Sequence, residues 1–178
     1  MREEILEMIP EIDWIIDEDL HEKTLKCWER AITEGGWKIE DLNSIPFTLL
    51  IENTKVSIIE HTRGVTQVAK SIADALLNVF TNSLYKIDYD VLIAGALLHD
   101  IGKLLEYEKK DGKIIKSRNG KYLRHPFSGQ ALCYAEGIDD AILHCIAVHA
   151  KEGEGQRVST EAIIINKADF ACFEPLKL

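Results

Sequence analysis

Along most of the chain, apolar residues recur at steps of three and four and rarely alternate strictly. Ile58, Val65, Val68, Ile72, Leu76 and Val79 form one series, and Val91, Ala94, Leu97, Leu98, Ile101 and Leu104 a second. That spacing matches the 3.6-residue turn of a helix, not the two-residue repeat of a strand. It predicts an all-α fold whose amphipathic helices close over one core. Helices are expected over about 11–34, ended by Gly35-Gly36, and over about 52–80, with a break allowed near His61. A third is expected over about 89–105, with Asp88 or Asp90 as its N-cap. Three more are expected over about 126–136, closed by Gly137, over 139–150 and over 160–173. The exception is the polar segment 106–124, where Asp111-Gly112 and Asn119-Gly120 predict a short β-hairpin or a long loop.

Several function classes are excluded or disfavoured. No apolar run approaches the roughly 18–20 residues that span a bilayer. The start of the chain is acidic and lacks a signal-peptide pattern, so a cytoplasmic protein is expected. The net charge is -9, and residues 1–41 hold 13 acids against 5 Lys/Arg. So acidic a first third argues against extended nucleic-acid binding, though not against a small nucleotide held by metals. Cys27, Cys133, Cys145 and Cys172 form no CxxC pair, so free thiols are expected rather than a zinc ribbon or redox motif. Three tryptophans, Trp14, Trp28 and Trp37, crowd the N-terminal third, and any left exposed would suit a homodimer.

The chemistry lies in the polar residues set into the apolar stripes. His61 lies on the buried face of its helix, and His149 shares a face with Ile142 and Cys145. Asp169 shares one with Ala162, Ile165 and Cys172. A carboxylate on an apolar face is costly unless it is paired or bound to a cation. His99 and Asp100 end an apolar run within an expected helix interior, where adjacent side chains diverge by about 100°. Such a pair offers a nitrogen and a carboxylate to one metal from adjoining directions. His125, followed by Pro126, opens a helix. Each histidine alone is as readily a satisfied core or surface residue; three histidines and two aspartates on core-facing stripes together point to a metal. His144 lies five positions before His149, so it faces elsewhere, and His21 belongs to the acidic surface.

The order His61, His99-Asp100, Asp169 resembles the H…HD…D signature of the HD superfamily of metal-dependent phosphohydrolases. The surrounding text, "EHTRGVTQVAKSIADAL", "AGALLHDIGK" and "IIINKADF", is similar to that family over about residues 60–173. "RHPFSGQALC" and "ILHCIAVHAKEG" place His125 and His149 where binuclear members carry two further histidines. The fuller pattern resembles symmetrical dinucleoside-tetraphosphate hydrolases, the HD domain of ribonuclease Y and the HD-GYP phosphodiesterases. The chain departs from the last two: it lacks the GYP text, Ala150 stands where a second histidine would follow His149, and no KH domain or coiled coil is present.

The resemblance implies an HD-domain helical bundle over residues 56–178; residues 1–55 fall outside it and are expected to form a helical extension packed on the core. It implies two divalent metals, iron first and manganese next. One would be held by His61, His99, Asp100 and Asp169, the other by His125 and His149, with Asp100 bridging. The implied activity is hydrolysis of a phosphoester or phosphoanhydride in a small nucleotide-like substrate by a metal-bound hydroxide, with Asp100 also orienting or deprotonating the water. Lys103, one turn after His99, would contact the phosphate. Residues 103–124 hold 8 Lys/Arg against 3 acids and are expected to form a phosphate-steering flap, with Arg118 and Arg124 as contacts. Two other readings remain open: an HD-type di-iron oxygenase with the same ligands, and a non-catalytic module that senses a nucleotide.

Overall fold

The structure is a computed structural model that describes residues 1–52, 54–81 and 84–178. Helix α1, Arg2–Met8, leads through a 3-10 turn, Pro10–Trp14, into α2, Glu18–Glu34. The periodicity predicts one helix over 11–34; the chain instead breaks at residues 15–17. Asp17 caps α2 through Leu20 N, and the Asp90 carboxylate accepts the backbone N–H groups of Ile16 (2.8 Å) and Asp17 (2.9 Å). These acceptors replace the helical bonds lost at the break.

A 3-10 turn, Ile39–Asn43, precedes α3, Ile58–Val79. Helix α3 starts at a reciprocal Ser57–Glu60 capping box rather than near residue 52, and runs unbroken through His61. Helix α4, Tyr89–Leu98, is capped by Asp88. It opens into a turn over 99–102 before the short α5, Lys103–Glu106. His99 and Asp100 therefore stand at a helix end, not in the interior the periodicity predicts. The hairpin forms as expected, β1 Tyr107–Lys110 pairing antiparallel with β2 Lys113–Lys116. Asp111 and Gly112 both take positive φ (50° and 76°), which a two-residue turn of this hand requires. The turn expected at Asn119-Gly120 is instead part of α6, Arg118–Tyr122, capped by Ser117. Then follow α7 His125–Ala135, α8 Asp140–Val148, a 3-10 turn Lys151–Gly153, α9 Thr160–Phe173 and a final 3-10 turn Glu174–Lys177.

Helix α4 is apolar on all sides, and residues 92–98 are all buried, so it takes the centre of the bundle. It packs on α2, α3, α8 and α9; α3 and α9 also pack on each other, as do α7 and α8. The N-terminal helices share this core: Ile5, Ile9, Ile12, Trp28 and Ile32 cluster with Ile93, Leu97 and Leu104. Trp28 is fully buried, and truncating such a side chain costs about 3–5 kcal/mol. Trp37 is buried too, its Nε1 donating to the Leu104 carbonyl at 2.7 Å, whereas Trp14 is exposed. The buried Glu11 accepts from Arg63 Nε (3.0 Å) and Gln67 Nε2 (2.6 Å) of α3, which satisfies its charge. Among the described residues no helix is long and apolar enough to cross a membrane.

Candidate metal centre

Four parts of the bundle meet at one buried point: α3 brings His61, the turn after α4 brings His99 and Asp100, the end of α8 brings His149, and α9 brings Asp169. His125, first residue of α7, completes the set. Close approach is needed to seat it. A Cβ on Gly102 would lie 2.1 Å from the His125 carbonyl oxygen and 2.6 Å from Gly129 N, so only glycine lets the turn touch α7 there.

The six residues fall into two groups, His61, His99 and Asp169, and Asp100, His125 and His149; within each, the donor atoms lie within 4.8 Å of one another. Asp100 joins the groups. Its Oδ2 lies 3.4 Å from both His61 Nε2 and His99 Nε2, while its Oδ1 lies 3.2 Å from His125 Nε2 and 3.5 Å from His149 Nε2.

Hydrogen bonds fix which ring nitrogens face inward. His99 Nδ1 meets the Ala96 carbonyl at 2.6 Å, and His149 Nδ1 meets the Ile146 carbonyl at 2.7 Å. A carbonyl only accepts, so in each ring Nδ1 carries a proton and Nε2 is left as the ligand atom that faces inward. His125 Nδ1 lies 3.0 Å from Glu106 Oε2, with the same result. Two consequences suit a cation. Among the described residues, the buried His99 Nε2 has no hydrogen-bond partner. His125 Nε2 and His149 Nε2 face each other at 3.2 Å, lone pair towards lone pair, unless positive charge lies between them.

The electrostatics agree. Burial would lower the pKa of His99, but the carboxylates of Asp100 and Asp169 outweigh it and raise it. Burial would raise Asp100 and Asp169; Lys103 and His99 hold Asp100 well below the usual carboxylate range, and the His61 hydrogen bond lowers Asp169. His61 is lowered by burial, and burial pushes His125 down to about 4 despite Glu106. A buried cluster of two ionised carboxylates and four imidazoles, of which His61 and His125 are held neutral by burial, has the donor chemistry of a divalent-metal site.

Other residues hold these in place. The Phe47 ring stacks on His61, centroids 4.4 Å apart. Lys103 is buried; its Nζ donates to Asp100 Oδ2 and to the Phe47 carbonyl (2.6 Å), which among the described residues leaves one of its three N–H groups uncommitted. Asn166 Nδ2 donates to the His149 carbonyl at 2.7 Å, and Arg157 Nη2 to the Ala150 carbonyl at 2.7 Å. The centre opens into a cavity of about 790 Å³, within the usual ~300–1,000 Å³ of small-molecule sites. Arg124 lines it and pairs with Glu152 at 3.0 Å; Lys116, Lys151, Arg157 and Lys167 line it too. Arg118 does not. The Ser117 cap turns it into a shallow groove beside Glu34, Gly35 and Asn119.

Sequence reasoning misses Phe47, Glu106, Arg157 and Asn166. Asn166 had a signal: it stands three residues before Asp169, on the same face of the helix. Nothing in the sequence marks the other three. His144 stands outside both groups, its Nε2 accepting from Val158 N at 3.2 Å.

The chain can be set beside known proteins at this point. It is 30% identical over 165 residues to dihydroneopterin 2',3'-cyclic phosphate phosphodiesterase from Methanocaldococcus jannaschii. The match covers 88% of this chain but 64% of that protein, so the chain spans less than two thirds of its relative's length. No solved structure gives a significant match. The family model of the HD domain matches residues 58–170, a stretch that contains all six clustered residues. The chain therefore belongs to the HD domain family.

Proposed function

We propose that the chain hydrolyses a phosphoester of a small, ring-bearing molecule, with a cyclic phosphodiester as the first candidate. The observation that carries this reading is the pair of ligand groups bridged by Asp100 at the end of a cavity rich in cations. His61, His99 and Asp169 would hold one divalent ion, and His125 and His149 the other, with one oxygen of Asp100 for each. Iron(II) is the first candidate and manganese(II) the second, since mixed imidazole and carboxylate donors suit both. Two such ions lower the pKa of a water and neutralise charge growing on the phosphoryl group.

The protein's own groups divide the remaining work. Lys103 offers its uncommitted N–H to a phosphoryl oxygen while its other bonds hold Asp100 in register. Arg124, Lys116 and Arg157 draw the phosphate in from the rim. Leu49, Leu50, Phe170 and Phe173 give the cavity an apolar wall suited to a flat ring. Leu49, Leu50 and Phe173 lie outside the HD match, so substrate choice rests partly on residues beyond the matched stretch. The relative named for a cyclic phosphate of a pterin supports this class of substrate.

The test loads the protein with iron(II) or manganese(II) and follows phosphorus NMR with a pterin 2',3'-cyclic phosphate, a nucleoside 2',3'-cyclic phosphate and a dinucleoside tetraphosphate. Conversion of a cyclic phosphodiester to its monoester is expected, with a loss of at least about 10³-fold in Asp100→Asn. Oxygen uptake without P–O cleavage, or tight binding without turnover, contradicts the reading.

A further inference from the structure

His99 and His149 are each oriented by the carbonyl three residues earlier in their own helix, Ala96 and Ile146. His125 has no such carbonyl. It is the first residue of α7, so no turn of its own helix precedes it. A carboxylate from another element takes the place: Glu106, the last residue of α5, accepts the His125 backbone N–H at 2.7 Å and meets Nδ1 at 3.0 Å, both through Oε2.

Glu106 is buried, and two cations face it from the side away from His125. Lys116 and Arg124 stand 3.5 and 3.7 Å from its other oxygen. Its position is sterically fixed, because the Glu106 carbonyl and side chain abut Gly120, where a Cβ would come within 2.3 Å of that carbonyl. Among the described residues, its hydrogen bonds and ion pairs reach no member of the His61, His99 and Asp169 group.

We propose that Glu106 is a positioning residue that holds His125 with Nε2 bare and inward, and so sets the affinity of the Asp100–His125–His149 site separately from that of the first. A charged acceptor on Nδ1 strengthens an imidazole as a ligand more than a carbonyl does. The second site therefore depends on one side chain that is not itself a ligand. This inference rests on the two-ion reading above.

The test has two arms. Manganese(II) alone is titrated into metal-free wild type, Glu106→Gln, Glu106→Ala and, as control, His125→Ala. The first ion should bind within about twofold of wild type in both Glu106 variants, while the second weakens by about 10–100-fold, more in Glu106→Ala. Unchanged binding of the second ion, or equal weakening of both, overturns the proposal. The second arm reads nitrogen-15 shifts of the imidazoles in metal-free protein, with His125 assigned by its loss in His125→Ala. Wild type should carry its proton on Nδ1, and Glu106→Ala should show a mixture of tautomers. The same tautomer in both overturns the positioning role. If wild type takes up a single ion, the two-ion reading fails, and this second arm decides the role of Glu106 by itself.

Discussion

The two ligand groups are held by different means. His61 and Asp169 come from within α3 and α9 and His99 caps the end of α4, three helices that pack directly on one another around the apolar centre of the bundle. Their positions follow from the core, and Phe47 backs the ring of His61. The second group is assembled at helix ends. His149 follows the last turn of α8 and His125 opens α7, and their backbones and rings are secured by Glu106, Asn166 and Arg157. One half of the centre is fixed by hydrophobic packing, the other by polar contacts between distant segments. The first should tolerate changes at the rim; the second should not.

Gly102→Ala should sharpen that contrast most. The added methyl meets the His125 carbonyl and the backbone of Gly129, neither of which is the end of a flexible side chain. Overpacking of this kind costs about 1–3 kcal/mol and pushes α7 away from Asp100. A lower midpoint of thermal unfolding, together with selective loss of the second metal, is expected. Equal loss of both metals would break the comparison.

Arg124 and Arg118 provide a smaller effect. Arg124 lines the cavity and lies 3.7 Å from Glu106, whereas Arg118 faces a separate groove. Arg124→Ala should raise KM for the phosphorylated substrate several-fold, about 1 kcal/mol of charge-assisted binding, with a lesser change in kcat. Arg118→Ala should leave both constants within twofold. An equal rise in KM for both variants would mean that the whole basic segment steers substrate by its field rather than by contact.

The same division explains what could be read from the sequence. His61 and Asp169 stand on regular apolar stripes, and a polar residue on such a stripe is visible as an anomaly in a periodic pattern. Helix α9, Thr160–Phe173, falls where its period puts it, and Asp111-Gly112 marks the hairpin because both positions need positive φ. The break at residues 15–17 was hidden because its cause, Asp90, lies more than seventy residues away. The turn at 99–102 was hidden because Ile101 and Leu104 continue the apolar spacing of α4 past its last residue, so the period does not falter where the helix ends. Glu106 sits in a segment that reads as a charged, solvated flap, and only the fold reveals that it is buried against His125. Arg118 and Arg124 look alike in sequence; the Ser117 cap sends the first away from the cavity.

The most direct test is the metal content of protein purified without chelator, for wild type and His125→Ala, each also after reconstitution with iron(II). Near two ions per chain in wild type, falling towards one in His125→Ala with the remaining ion tightly held, is the expected result. One ion or none in reconstituted wild type, unchanged by the substitution, would contradict a centre of two sites joined through Asp100.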